Sequence, residues 1–268
     1  MRSLIKLATS LLLLAFVLIG ISYSMLKAYG TTSGSNPAGR ALAGENRPVD
    51  GMVNTVEIHG PIDLMLTQGQ PASLKVRGEQ RSLGNIETIQ DGAELHIGTK
   101  GMLLNPRHRL RVELVLPDLR ELAVNSSGET RVQGFSGDKL ELQLHGSGNL
   151  DFTGRYRTLA AGIHGSGHLN LNSGNSDHLT LEMVGSGALT ASGSCKDLNA
   201  EVTGSGDLDA RHLSADKVVL NQRGSGSSQI FARRSADLTL RGSGDVRVLG
   251  RPDQRTVDRN GSGDVHWE

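Results

Sequence analysis

Leu140-Glu141-Leu142-Gln143-Leu144-His145-Gly146-Ser147-Gly148-Asn149-Leu150-Asp151-Phe152 decides the fold. Apolar and polar residues alternate without a slip up to Gly146, and the alternation resumes beyond Gly148. A period of two means extended strands with one dry face and one wet face. The Gly-Ser-Gly between them reads as a corner, because glycine reaches positive φ without steric penalty and lets stacked backbones approach closely.

Outward from this stretch the same tripeptide recurs as Gly165-Ser166-Gly167, Gly185-Ser186-Gly187, Gly204-Ser205-Gly206, Gly224-Ser225-Gly226, Gly242-Ser243-Gly244 and Gly261-Ser262-Gly263. A degenerate copy, Ser126-Ser127-Gly128, precedes them all. The steps from Ser127 through the corner serines are 20, 19, 20, 19, 20, 18 and 19 residues. Self-similarity at a fixed short period is the signature of a repeat architecture. Of the 21 positions two, four and six before the first glycine of the full copies, 18 are apolar, the exceptions being Gln222, Arg255 and Arg259. Of the 14 positions two and four after the second glycine, 13 are apolar, Ser228 being the exception. At one, three and five before the corner, only Ala160, Val184 and Val219 are apolar, Gly162 set aside.

This pattern predicts two strands per repeat flanking the corner, with a looser bend between them, as at 153–158 and 172–177. Length variation falls in the bend while the phase near the corner holds, which is how a stacked ladder tolerates insertion. One such unit cannot bury its own dry face; units stacked at about 4.8 Å can. The expectation is an all-β solenoid of about eight coils, with the corner serines in a column whose hydroxyls bond along the ladder.

Upstream, from Val53, short alternating runs at 53–58, 62–66, 73–76, 94–97 and 110–116 are punctuated by Gly60-Pro61, Gly69-Gln70-Pro71, Asp91-Gly92 and Pro117-Asp118. These are strand and turn signals with no helical period. Further upstream, a basic start, Met1-Arg2-Ser3-Leu4-Ile5-Lys6, leads into 20 uncharged residues, 7–26. That order is a secretory signal, with cleavage after Ser24 or retention as an anchor as its two outcomes. No cysteine follows to make it a lipoprotein signal. Residues 31–48, rich in Gly, Ser, Asn and Pro, read as a tether. The expected organisation is therefore 1–26 signal peptide or membrane anchor, 27–52 flexible linker, 53–124 strand-rich N-terminal region and 125–268 repeat solenoid. The expected location is the periplasm or cell envelope after export, with residues 5–26 as the only membrane contact if they are retained.

Lys plus Arg and Asp plus Glu are 28 each, so no net field steers the chain onto nucleic acid. The short basic stretch from Arg107 through His108 to Arg111 reads as solvated surface. The single cysteine, Cys195, sits in Ser192-Gly193-Ser194-Cys195-Lys196, which reads as a loop. It is an incidental thiol or, in an oxidising compartment, a partner in an intermolecular disulfide.

Four motifs carry possible chemistry, each with a plainer reading beside it. His145 and His164 before their corners faintly resemble esterase oxyanion loops, but the nucleophile elbow and its helix are missing. His145 and His164 fall at the same position of adjacent coils, about 5 Å apart on a parallel ladder, and with His168 could share a metal; as plain ladder residues they would simply be exposed. Asp207, Asp245 and Asp264 follow corner glycines, with Asp209 two beyond, as in calcium-binding rolls. The same column also holds Asn149, His168, Ala188 and Ser227, so no ligand set repeats. Glu182 and Glu201 stack on adjacent coils as a lyase or hydrolase would require, but nothing nearby completes a site. The reading expects no catalytic, cofactor or metal site, and takes the corners as structural.

The run 56–69, from Val56-Glu57-Ile58-His59-Gly60-Pro61 to Gln68-Gly69, resembles the opening strands of the putative auto-transporter adhesin head GIN domain family. Leu116-Pro117-Asp118-Leu119-Arg120-Glu121-Leu122 is similar too, as are the closing Gly242-Ser243-Gly244-Asp245-Val246 and Gly261-Ser262-Gly263-Asp264-Val265. The resemblance covers about 53–268. It implies an exported, single-stranded right-handed parallel β-helix, similar in shape to pectin-lyase-like folds, with no family catalytic residues to carry over. The expected function is a non-enzymatic envelope protein that adheres to or binds an unidentified envelope protein or glycan through a solenoid face. The alternatives are a carbohydrate-active β-helix enzyme and a structural spacer.

Overall fold

A computed structural model describes residues 41–101 and 109–268. The expected signal or anchor at 1–26, the first part of the linker, and Arg107 with His108 lie outside the described residues. The described residues are nearly all β, 76 % strand and 2 % helix, and form a β-solenoid of about seven turns. The sequence reading expects about eight; eight corners enclose seven intervals.

Within the repeat, each turn is one long extended run. These are β9 (Glu129–Gly146), β10 (Asn149–Gly165), β11 (His168–Gly185), β12 (Ala188–Gly204), β13 (Asp207–Gly224) and β14 (Ser228–Gly242). The two strands expected per repeat are thus joined through the bend rather than separated by a loop. The ladder is parallel throughout, and its register is fixed by the corners. Leu144, Ile163, Met183, Val202, Gln222 and Leu240 form one inward column. Register shifts fall in the bend, between Thr153 and Thr158 and between Asn172 and Asn175. Beyond β14 the ladder continues as β15 (Val246–Leu249), β16 (Gln254–Gly261) and β17 (Val265–Trp267). β15 and β16 stack on the two ends of β14, and β17 stacks on β15.

The dry face builds the core that the alternation predicts. Leu142, Leu159, Leu181, Leu198, Leu220 and Leu238 are at most 2 % exposed. Burying a side chain of this size stabilises by about 1.5–3 kcal/mol relative to leaving it in water. The exceptions in the apolar count separate into two kinds. Gln222 and Ser228 still face inward and are buried, Gln222 donating from Nε2 to Gly226 O at 2.5 Å. Arg255 and Arg259, in β16, are exposed, and Arg255 lies over the Trp267 ring at 4.6 Å.

The N-terminal region is built differently. It comprises β1 (Leu42–Arg47), β2 (Thr55–His59), β3 (Ile62–Gln68), β4 (Ser73–Glu79), a four-residue helix α1 (Gln80–Leu83), β5 (Ile86–Asp91), β6 (Glu94–Thr99), β7 (Leu110–Leu116) and β8 (Glu121–Asn125). β2 and β3 meet at Gly60, φ 95°, and already form a solenoid layer. β2 lies between β6 and β8, and β3 between β7 and the start of β9, all parallel. The layer first in sequence is therefore second in the stack. β4 runs antiparallel to both β7 and β1, and β5 antiparallel to β6. The expected linker thus contains a strand: Leu42 to Arg47 pair with β4 from Glu79 to Leu74.

Candidate binding face

Both corner glycines allow close approach to the turn below, as a Cβ on Gly185 would lie 2.2 Å from Gly165 O, and the first also supplies a special backbone conformation. The first glycine of each full copy has positive φ, from 106° at Gly146 to 145° at Gly261, a region that L side chains rarely adopt. The second glycine is buried against the turn below. A Cβ on Gly187 would lie 2.5 Å from the Gly167 carbonyl oxygen, and one on Gly226 would lie 2.0 Å from the Gly206 carbonyl oxygen. The degenerate copy keeps only the second glycine. A Cβ on Gly128 would clash with Ile62 O at 2.2 Å, whereas the first position holds Ser126. Its hydroxyl accepts from Gly128 N–H at 2.8 Å and donates to Ile62 O at 3.3 Å.

The corner serines Ser147, Ser166, Ser186, Ser205, Ser225, Ser243 and Ser262 form the expected column and are exposed. Their hydroxyls make no hydrogen bond among the described residues. The ladder runs instead through their amides: Ser166 N–H donates to Gly146 O and Ser186 N–H to Gly165 O, each at 3.0 Å. The side chain points to water while the amide points along the stack.

One position after the corner, the aspartates serve the ladder. At Asn149, His168, Ala188 and Asp207, where no Asp lies below, the amide reaches the second glycine of the preceding turn, as His168 N–H does to Gly148 O at 3.0 Å. Above an Asp it reaches the carboxylate. Asp207 Oδ1 accepts from Ser227 N–H and from the Ser227 hydroxyl; Asp245 Oδ1 accepts from Asp264 N–H at 2.9 Å; Asp63 Oδ1 accepts from Glu129 N–H at 3.0 Å. These carboxylates are occupied by amides, so the calcium-roll comparison gains no ligand set from the geometry. Asp209 is held by Arg211, whose guanidinium keeps its carboxyl below the usual value against the opposing effect of burial.

The polar residues just before each corner form the outward face of the pre-corner sheet. His145 and His164 stack with ring centroids 4.9 Å apart, the spacing that the sequence predicts, and both are half-buried. His164 Nε2 lies 3.6 Å from Glu182 Oε1. Glu182 and Glu201 are adjacent in the ladder, and Glu201 pairs with Arg223 at 3.1 Å. His168 is not brought to the other two histidines; it sits exposed beyond the corner, in register with Asn149 and Ala188.

The same face carries a cluster that the sequence reading did not assemble. Glu57 Oε1 lies 2.7 Å from His59 Nε2, and Glu57 Oε2 lies 2.7 Å from His96 Nδ1. His96 Nε2 is 3.3 Å from Glu94 Oε1, and Asn125 Nδ2 donates to Glu57 Oε1 at 3.4 Å. Burial opposes it, but the two imidazoles hold the Glu57 carboxyl below its ordinary value. The sequence signal was present as two Glu-x-His runs, Glu57-Ile58-His59 and Glu94-Leu95-His96. Only the layer order, which places β6 under β2, turns them into neighbours.

On the other side of the Gly60 corner, Lys75, Arg77, Arg109 and Arg111 line an open groove of about 700 Å³ with Asp63 and the β1 residues Leu42 to Gly44. Arg77 is engaged by Glu113 at 3.0 Å and Arg109 by Asp63 at 3.5 Å. Cys195 is not in a loop. It lies in β12 at 5 % exposure, and burial, followed by the charges of Asp197 and Asp216, pushes its thiol up to about 12. The small residues around it, such as Ser173 and Ser176, are buried too, so this bend is packed core. A buried thiol with so little thiolate is a poor partner for an intermolecular disulfide.

Residues 53–252 match the family described as putative auto-transporter adhesin, head GIN domain. The chain belongs to this family. A comparison with curated proteins finds no match. Among solved structures, the GIN-domain chain is similar to a putative adhesin from Parabacteroides merdae, at 19 % identity and TM-score 0.79, over 85 % of this chain and 96 % of that one. A putative adhesin from Parabacteroides distasonis gives 19 % identity and TM-score 0.80, over 86 % and 98 %. A putative lipid binding protein from the same species gives 21 % and 0.76, over 85 % and 96 %. At these identities the likeness establishes the shared fold. Among the described residues, no helix is long and apolar enough to cross a membrane.

Proposed function

We propose that this GIN-domain protein is a non-enzymatic, exported envelope protein that adheres to an envelope protein or glycan through the outward face of its pre-corner sheet. It needs no cofactor for this. The observation that carries the reading is the construction of that face. Successive turns hold polar side chains in strict register on a backbone whose other side is packed core, as with Glu182 and Glu201 above the inward Leu181 and Ala200. A solenoid face of this kind offers an extended, pre-ordered surface rather than a pocket. Family membership and the adhesin neighbours favour the same reading. Of the acids best placed for polysaccharide chemistry, Glu201 is engaged by Arg223 at 3.1 Å and Glu182 lies 3.6 Å from the His164 ring. The test is turnover of a panel of envelope and plant polysaccharides by the purified full chain, with and without Ca²⁺ or Zn²⁺, beside binding to the same panel and to envelope extract. Binding without product is the expected result. Reproducible product that Glu182→Gln or Glu201→Gln eliminates would make the protein a carbohydrate-active enzyme.

A further inference from the structure

The cluster on β2 and β6 has the features of a metal site. Its four side chains alternate acid and imidazole: Glu94, His96, Glu57 and His59. They follow a zigzag set by sheet geometry. Glu57 and His96 are cross-strand neighbours in the parallel ladder, while His59 and Glu94 lie two residues along their own strands on the same face. One ligand atom each from Glu57, Glu94 and His96 lies within 4.8 Å of the others. That is close enough for small side-chain rotations to bring them onto one ion with bonds of about 2.0–2.2 Å.

The scaffold beneath is rigid. The inward neighbours Val56, Ile58, Leu95 and Ile97 are at most 1 % exposed, so both strands are fixed by core packing. Ligands carried on such elements are held more precisely than ligands on loops. Charge adds a second argument. Many carboxylates have an Arg or Lys, such as Glu113 with Arg77 or Asp177 with Lys196. Glu57 and Glu94 are paired only with histidines among the described residues. A divalent cation bound there would match the charge of the two carboxylates.

We propose that Glu57, Glu94 and His96 bind a divalent first-row transition metal, with His59 and Asn125 orienting the Glu57 carboxylate. An imidazole beside two carboxylates suits Zn²⁺ and its neighbours in the series better than Ca²⁺ or Mg²⁺, which prefer oxygen ligands alone. The ion clamps β2 to β6, two layers that are adjacent in the stack but far apart in sequence. It therefore braces the end of the solenoid where stacking order departs from chain order. Carboxylate–histidine contacts around a bound metal serve to fix ligand orientation, and their loss typically weakens binding about 10–100-fold.

The test is calorimetric titration of the untagged full chain with ZnCl₂, with CaCl₂ as comparator, together with X-ray absorption of the Zn-loaded protein. A single saturable Zn²⁺ site is expected, with no comparable Ca²⁺ binding and a higher melting temperature when Zn²⁺ is present. His96→Ala and Glu57→Gln are each expected to weaken Zn²⁺ binding at least about tenfold, whereas His168→Ala, beyond the corner and away from the cluster, leaves it unchanged. Equal melting of His96→Ala and wild type in EDTA shows that the variant is folded. The absorption spectrum of the wild type, which needs no variant, should report oxygen ligands with a single imidazole. Absence of saturable Zn²⁺ binding, unchanged binding in both variants, or a shell dominated by several imidazoles would overturn the proposal.

Discussion

The N-terminal region and the repeat share one solenoid but obey different rules of order. From β9 onward, each turn stacks on the one before it in sequence. Before β9, the β2–β3 layer lies between β6–β7 and β8–β9, and the end is finished by the antiparallel strands β1, β4 and β5. Close approach differs in kind as well. In the repeat, corner glycines meet the carbonyls of the turn below; at the base, Gly60 and Gly78 meet side chains, Thr99 Oγ1 at 2.8 Å and Leu110 Cδ2 at 2.5 Å, and a Cβ on Gly98, within β6, would meet only the Cβ of His59, at 3.8 Å. The difference teaches that repetition fixes stacking where every unit is alike. Where units differ, shape and partner choice take over.

The largest expected effect tests this contrast directly. Gly187→Val puts a side chain onto the Gly167 carbonyl and should destabilise by about 4 kcal/mol or prevent folding. Gly98→Ala in the N-terminal region should stay within about 1 kcal/mol. Denaturant melts of the pair measure both, and equal melting would remove the contrast. Next comes Leu181→Ala, 1 % exposed in the inward column, which should cost about 2–5 kcal/mol. Val257→Ala, at 43 % exposure in β16, should cost less than about 1 kcal/mol. A similar loss at both positions would mean that the packing does not differ along the stack.

A smaller effect is expected where the two regions are joined. The buried Tyr156 hydroxyl, in the bend of β10, donates to Leu119 O at 2.8 Å on the link into β8. Tyr156→Phe leaves that carbonyl without its partner and should cost about 1–2 kcal/mol, read by urea melts at constant slope. Smallest of all is Ser186→Ala. The sequence alone suggests a ladder hydrogen bond there, worth about 1 kcal/mol. With the hydroxyl in water and the amide carrying the ladder, the change should stay below about 0.5 kcal/mol. A loss above 1 kcal/mol would restore the hydroxyl ladder.

The repeat was legible because period and burial are the same information there. Inward positions such as Leu142 and Leu181 follow from alternation alone, and the corners fix the register without reference to the rest of the chain. The N-terminal layers were not legible, because alternation says which face is dry and not which strand lies alongside. Val56-Glu57-Ile58 and Glu94-Leu95-His96 each read as a strand, but nothing in them states that Glu57 pairs with His96. The same limit hid the Glu57–His96 cluster. It also explains Cys195, where a Gly- and Ser-rich run resembles a loop although its small side chains pack into the bend. The His145–His164 stack was visible because it depends only on the repeat register.

The central claim is that recognition is spread along the outward pre-corner face. Binding of the full chain to the glycan or protein that it retains from envelope extract tests it most directly, comparing His164→Ala, Glu182→Ala and Glu201→Ala singly with the triple variant, which spans three consecutive turns. Each single change is expected to weaken binding only modestly, and the triple change to abolish it while the melting temperature stays near that of wild type. Full binding by a stably folded triple variant, or abolition by one single change, would contradict an extended face and point to a discrete site elsewhere.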